Sequence, residues 1–237
     1  MSSSTGAAEN SKRRDNKPLK RPDMSDPNTL VKLTCTAEGE DYPFTVHKEY
    51  ACFHSSVLNR AFNSDFIEGQ NQEYKFDEAI PRYPIKLLVQ WLYQERCKLV
   101  QQTEGWGYDM EVAEREKIVE EEDMGLVQLW VLAQFLIMPK LQDWIMDGIT
   151  AASFYKAAAP TNTFPWVYDN TEVGSPLRKV MVLLSSAYLH SAPFRENSQH
   201  YPHEMLVDLL MYQQEQVAGT NMDAYEAIRE VCYFWQG

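Results

Sequence analysis

Hydrophobic and polar positions alternate at three places in the first third of the chain. Apolar residues occupy every second position in the segment 30–37, and a second alternation covers residues 42–47. The turn-forming residues 38–41 separate the two, so the pattern predicts a β-hairpin. A shorter alternation at residues 73–77 predicts one more strand, with its two aromatic residues on one face.

Helical spacing dominates the remainder. Apolar residues recur at i, i+3, i+4 and i+7 from Ile85 to Leu92, after two prolines that suit the first turn of a helix. A second helix, from Leu126 to about Ile137, is apolar on all sides and is therefore expected to be buried. Met138 and Pro139 end it, and a third helix follows at once. Shorter or later helices are expected at residues 48–53, 57–62, 141–152, 177–188, 206–210 and 223–235.

Other segments lack a clear period. Residues 63–71 and 157–174 are predicted to be loops, and residues 98–100 are a candidate edge strand. Together the elements predict an α+β fold, with a small three-stranded sheet and an all-helical C-terminal extension. With 237 residues, of which 44% are hydrophobic, the chain is long enough for one large domain or two small ones.

Charge is distributed unevenly along the chain. The net charge is −12, which disfavours a nucleic-acid surface or an anionic membrane as partner. Nine acidic and two basic residues fall in the segment 101–123. We interpret this segment as an acidic surface insertion, partly disordered. An acidic recognition segment for a basic partner is the alternative.

The N-terminal residues 1–27 are rich in Ser, Lys and Pro and predict a disordered basic tail. Its basic residues are either a solvated tail or a nuclear-import signal. The candidate import residues are Lys12, Arg13, Arg14, Lys20 and Arg21.

Cysteine usage and the N-terminus favour a cytoplasmic or nuclear location. The four cysteines are widely spaced and form no C-x-x-C pair, as expected for buried thiols in a reducing compartment. The N-terminus carries no apolar signal-peptide core. The longest apolar run, residues 126–138, is too short to cross a bilayer.

No motif for catalysis is visible. The chain contains no phosphate-binding loop, no nucleophile elbow and no H-E-x-x-H step. Cys52 and His54 are two positions apart and would not face each other on a helix. His200 and His203 are only two ligands, too few for a zinc site. We therefore expect no enzyme activity, no cofactor and no metal, with an unrecognised enzyme site as the remaining alternative.

Phe44, Val46, His47 and Lys48 form an F-x-V-H-K step, and a helix pair is expected between residues 126 and 149. With these features the chain from about residue 30 to residue 152 resembles the BTB/POZ domain, and the helix pair resembles that family's closing helices. The resemblance implies a BTB/POZ fold at residues 28–157, and residues 158–237 weakly resemble the BACK-type extension. The acidic interruption before the closing helices and the helical tail look like those of many fungal BTB domain-containing proteins. Further matches, in order along the chain, are Ser56, Phe62, Phe66, Glu68, Leu92 and Tyr93.

This resemblance implies a non-catalytic protein-interaction module. BTB domains form homodimers or bind partner proteins, and some are substrate adaptors for cullin-type ubiquitin ligases. In those adaptors a hydrophobic-x-Glu step contacts the cullin scaffold, and the step Phe66, Ile67, Glu68 fits it. The alternative for these residues is that Phe66 covers the core and Glu68 is solvated. The alternative function is a nuclear, transcription-associated regulator that acts through BTB dimerisation.

Overall fold

The first two strands form the β-hairpin that the alternation predicts. The computed structural model describes residues 21–37, 39–77, 80–188 and 198–217. Strand β1 (Leu30–Ala37) pairs antiparallel with β2 (Glu40–His47), and β3 (Glu73–Lys75) pairs parallel with β1, which places β1 in the centre of a three-stranded mixed sheet. With helices making up most of the remaining described residues, the predicted α+β class is confirmed.

The buried face of the sheet follows the period-2 pattern. Val31, Leu33 and Cys35 of β1 are each at most 1% exposed, and Val46 of β2 is fully buried. Strand side chains alternate between the two faces, so these four residues lie on the face that the helices cover.

The helices occupy most of the chain after β2. None of those in the described residues is both long and apolar enough to cross a membrane. Within the described ranges, three short 3₁₀ turns lie at Val100–Gln102, Thr161–Thr163 and Ser198–His200. The α-helices of the same ranges are α1 (Lys48–His54), α2 (Ser56–Phe62), α3 (Ile67–Asn71), α4 (Arg82–Gln94), α5 (Val112–Phe135), α6 (Pro139–Lys156), α7 (Phe164–Asn170), α8 (Pro176–Tyr188) and α9 (His203–Val217).

Three predictions about irregular segments are wrong. Residues 63–71 and 157–174 were expected to be loops but contain the one- to two-turn helices α3 and α7, which are too short to show an apolar period. Residues 98–100 do not form an edge strand, because the Val100 N–H donates to a carboxylate and not to a neighbouring strand. The helix expected at residues 223–235 and the tail at residues 1–20 lie outside the described residues.

The acidic segment is not a separate insertion. Its second half is the first half of α5, which continues without a break into the buried apolar helix that the sequence predicts. The exposed acids, such as Glu116 and Glu120, lie on the part of α5 that precedes the core, whereas Glu122 and Asp123 are buried. The structure therefore has an ordered helix where partial disorder was expected.

The described residues after 157 pack on the same core. One cluster of buried apolar side chains runs from Val31 in β1 to Leu209 in α9. Arg178 of α8, which is only 6% exposed, holds the C-terminal helices together: it donates to the main-chain oxygens of Tyr168 and Thr171 and pairs with Glu204 of α9 at 2.9 Å.

Candidate functional site

The helix α3 presents an apolar surface to solvent. Phe66, which precedes the helix, is 74% exposed, and Ile67, its first residue, is 63% exposed. Glu68 follows and is half-buried. We call these three residues the α3 surface. Because Phe66 is mostly exposed, the alternative that it covers the core is wrong. Single exposed apolar residues are normal, whereas contiguous ones are found at binding surfaces. Exposed adjacent pairs also lie at Phe154 and Tyr155 and at Leu210 and Met211.

Hydrogen bonds from its neighbours hold α3 in place. The Phe66 N–H donates to Ser64 Oγ at 3.2 Å, and the Gln70 side chain donates to the Asp65 carbonyl at 2.8 Å. At the other end, the main chain of Gln72 adopts the left-handed conformation. Its side-chain amide donates to the carbonyls of Phe62 and Gly69. A five-residue helix is not stable on its own, so these contacts define its position.

Gly69 is required by the close approach of α3 to the preceding loop. A Cβ at this position would lie 1.9 Å from the main-chain oxygen of Ser64 and 3.2 Å from that of Ala61. The sequence analysis did not identify Gly69 as important. The signal in the sequence is a glycine directly after the step Phe66, Ile67, Glu68.

His47 and Tyr93, both part of the family-like pattern, lie in contact. The His47 main-chain N–H donates to the Tyr93 hydroxyl at 3.0 Å, and the His47 ring nitrogen Nδ1 lies 2.8 Å from the same oxygen. This contact joins the end of β2 to the end of α4.

The histidines and cysteines considered for catalysis are not brought together. The Cys52 thiol lies beside the Asn63 amide, whereas the His54 ring packs edge-on against Trp91 with 4.8 Å between ring centroids. Burial lowers the pKa of His54 and raises that of Cys52. His200 lies 3.3 Å from the Thr161 hydroxyl. Within the described ranges, no group of three or more His, Cys, Asp or Glu residues is placed to bind a metal ion.

Two of the nine acidic residues in the segment 101–123, Glu122 and Asp123, are buried. Glu122 is 1% exposed and accepts hydrogen bonds from the N–H groups of Val100 (2.7 Å) and Gln101 (3.0 Å) and from the Tyr83 hydroxyl (3.3 Å). Asp123 pairs with Lys156 of α6 at 2.6 Å. The two acids therefore tie α5 to the 3₁₀ turn after α4 and to the end of α6.

A cleft of about 640 Å³ opens beside the ion pair between Asp123 and Lys156. Its walls come from the first half of α5, the end of α6 and the segment that contains the turn Thr161–Thr163. Aromatic side chains, including Trp106, Tyr155 and Tyr188, line it. Its lysine, Lys156, is paired with Asp123, and its histidine, His200, lies with its ring nitrogen Nδ1 3.3 Å from the Thr161 hydroxyl.

The Cys97 thiol makes stability sensitive to alkaline pH. It donates to the Leu87 carbonyl, and burial, followed by the negative charge of Glu122, raises its pKa to about 12. Because the native thiol keeps its proton after the unfolded one has lost it, stability falls as pH rises from about 9 towards 12. We expect a loss approaching 1.4 kcal/mol per pH unit from this group. Chemical denaturation between pH 8 and pH 10.5 measures it.

The matched variant is Cys97→Ala, whose stability is expected to fall less steeply over the same pH range. The remaining tyrosines and cysteines titrate in both proteins, so the difference between the slopes isolates Cys97. Equal slopes would contradict the assignment.

Four of the five candidate nuclear-import residues lie outside the part of the chain that the structure describes. Lys12, Arg13, Arg14 and Lys20 lie outside the described residues, and Arg21 is exposed. The import signal therefore stays a prediction.

Comparison with known proteins identifies no relative. No protein-family model matches the chain, and searches against curated proteins and against solved structures found no significant match.

Proposed function

We propose that this chain is a non-catalytic protein-interaction module of the BTB type, and that it binds partner proteins through the α3 surface. The observation that supports this most is the exposure of Phe66 and Ile67, at 74% and 63%, on a helix whose position is defined by hydrogen bonds. Prepositioned apolar side chains lose little conformational entropy when a partner covers them.

The order of elements adds support for a BTB-type module. The F-x-V-H-K step lies at the end of β2 and the start of α1, and α4 ends beside Tyr93. The order strand, strand, helix pair, short strand, amphipathic helix and closing helix pair is the order on which the resemblance rests. The sheet is compatible with the small three-stranded sheet of that fold.

The partner we propose is a cullin-type ubiquitin-ligase scaffold, for which the chain would act as an adaptor. Phe66 and Ile67 offer the apolar anchor, and Glu68, which follows them directly in sequence, offers the charge. Anchors of this kind contribute most of the binding energy at protein interfaces, whereas bordering charges affect association rate and specificity.

Truncation of the anchor tests this proposal. We expect Phe66→Ala and Ile67→Ala each to weaken binding to a purified cullin scaffold by about tenfold, since each loses at least about 1.4 kcal/mol of apolar burial. Glu68→Lys should mainly slow association. Isothermal titration calorimetry and surface plasmon resonance measure the two effects.

Val112→Ala is the matched control, since Val112 is 57% exposed but lies on α5. It should bind like the wild type. Absence of binding by the wild type, or equal affinity in all variants, would rule out the adaptor function.

The alternative function, a nuclear regulator that acts through BTB dimerisation, stays a proposal, and so does the homodimer itself. Both would act through the same kind of module. Light scattering on the full chain distinguishes a dimer from a monomer.

A further inference from the structure

Solvent-accessible aromatic side chains line the cleft beside the ion pair between Asp123 and Lys156. Tyr108 is 81% exposed, Tyr155 is 71% exposed, and Trp106 is half-buried. The cleft volume of about 640 Å³ lies within the range of about 300–1,000 Å³ that is typical of ligand sites. The cleft therefore has room for several residues of a peptide, with aromatic rings to contact them.

The charged side chains that remain available in the cleft are mostly acidic. Asp123 and Lys156 neutralise each other as an ion pair at 2.6 Å. Glu116 and Glu120 are also wall residues, and both are exposed. Within the described residues, neither of their carboxylates forms a hydrogen bond or an ion pair, since the Glu120 contact to Asn162 uses the main-chain oxygen. The basic residue Arg115 is exposed as well, so two carboxylates outnumber one guanidinium.

The excess of acidic residues continues along the first half of α5, beyond the cleft. Nine acidic residues lie in the segment 101–123, and the seven other than Glu122 and Asp123 are exposed, against two exposed basic residues. At 1.5 Å per residue, the helical part at residues 111–121 is about 15 Å long. An extended peptide covers this length with about five residues. A basic segment of a protein therefore complements the charge better than a single small cation does.

Aromatic rings beside carboxylates are suited to bind a guanidinium group. A cation over the face of a Trp or Tyr ring is attracted by the ring, and the planar Arg side chain also stacks on it. The same group donates two parallel hydrogen bonds to a carboxylate, which a lysine does not. This protein contains such an arrangement in its interior: Arg178 lies 4.4 Å from the centroid of the Tyr168 ring and pairs with Glu204 at 2.9 Å.

We propose that this cleft binds an arginine-containing basic segment of a partner protein. Guanidinium groups of the segment stack on the rings of Trp106 and Tyr155 and pair with the carboxylates of Glu116 and Glu120. The rest of the segment follows the acidic first half of α5. The site shares no residue with the α3 surface, and the proposal does not depend on the function proposed for that surface.

The test is an NMR titration of the full chain with short peptides whose ends are blocked. The probe is the acetylated and amidated peptide Arg-Gly-Arg-Gly-Arg, and the matched control is Glu-Gly-Glu-Gly-Glu with the same end groups. The indole signal of Trp106, assigned with Trp106→Phe, is followed up to about 5 mM peptide, which detects a Kd in the millimolar range. We expect the arginine peptide to shift the signal saturably and the glutamate peptide to leave it unchanged.

A double variant measures the contribution of the carboxylates. Glu116→Gln combined with Glu120→Gln should weaken binding of the arginine peptide about fivefold, because two exposed ion pairs are lost. The matched control combines Glu95→Gln with Glu172→Gln, which removes the same charge at exposed positions outside the cleft. Its affinity should stay within about twofold of the wild type, since separated surface charges are largely screened.

A single variant measures the contribution of the aromatic rings. Tyr155→Ala should weaken binding of the arginine peptide about threefold, as expected for the loss of an exposed cation–π contact. Phe135→Ala is the matched control, because Phe135 is 77% exposed but lies at the other end of α5. It should bind the peptide like the wild type. Both residues are exposed, so neither variant is expected to unfold the protein.

Ile67→Ala should leave the titration unchanged, which separates a failure here from a failure at the α3 surface. A Trp106 signal that does not respond, or equal binding of both peptides, would overturn the proposal. A saturable shift on concentrating the protein alone would overturn it too and assign the cleft to a second copy of the chain. Tighter peptide binding after replacement of Lys12, Arg13 and Arg14 by Gln would assign the cleft to the chain's own N-terminal segment instead.

Discussion

Glu122→Ala is expected to lower the free energy of unfolding by about 3–5 kcal/mol. The carboxylate of Glu122 accepts from two main-chain N–H groups and from the Tyr83 hydroxyl, and it is 1% exposed. Removing it leaves these donors buried without an acceptor, since the cavity left by the side chain lies inside the protein. Each unsatisfied buried donor costs about 1–3 kcal/mol.

The neighbouring residue provides the control. Glu121 precedes Glu122 in the same helix but is exposed, so Glu121→Ala should change stability by less than about 0.5 kcal/mol. Urea denaturation followed by circular dichroism compares the two variants. If both lose the same small amount, Glu122 does not have the structural role described for it.

Gly69→Ala is expected to weaken partner binding by about a hundredfold, because it displaces Phe66 and Ile67 together. The added Cβ would lie 1.9 Å from the main-chain oxygen of Ser64, a distance that no side-chain rotation relieves. Either the loop before α3 or α3 itself has to move. We also expect a stability loss of about 1–3 kcal/mol, as for other overpacked sites.

Gly148→Ala is the matched control in a second helix. Its Cβ would be 3.5 Å from the Leu99 side chain, an ordinary contact. This variant should gain about 0.5–1 kcal/mol, because alanine is the better helix former, and should bind normally. A Gly69→Ala variant with wild-type affinity and stability would show that the position of α3 does not matter.

The sheet and most of the long helices could be predicted because their apolar positions recur at the period of a strand or a helix, and the apolar part of α5 because it is apolar on all sides. The alternation at residues 30–37 and 42–47 predicts β1 and β2, and the apolar period from Ile85 to Leu92 predicts α4. The Ser55 hydroxyl accepts from the Leu58 N–H and so caps α2. Ser55 also donates to the Leu136 carbonyl, a contact between distant segments that no local pattern contains.

What the sequence did not predict depends on contacts distant along the chain. The buried role of Glu122 depends on the turn at Val100, 22 residues away, so composition alone suggested a solvated acidic segment. The short helices α3 and α7 lack an apolar period and are held by side-chain contacts instead. For the candidate site, the sequence identified the three residues of the α3 surface, but it did not establish their exposure or the need for Gly69.

Photo-crosslinking tests the central claim most directly. p-Benzoylphenylalanine is placed at position 66, or at the control position 112 on α5, and each protein is irradiated with a purified cullin scaffold. The interaction proposed for the α3 surface predicts a crosslinked adduct from position 66 and none from position 112. Adduct formation from position 112 alone, or from neither position, would contradict it.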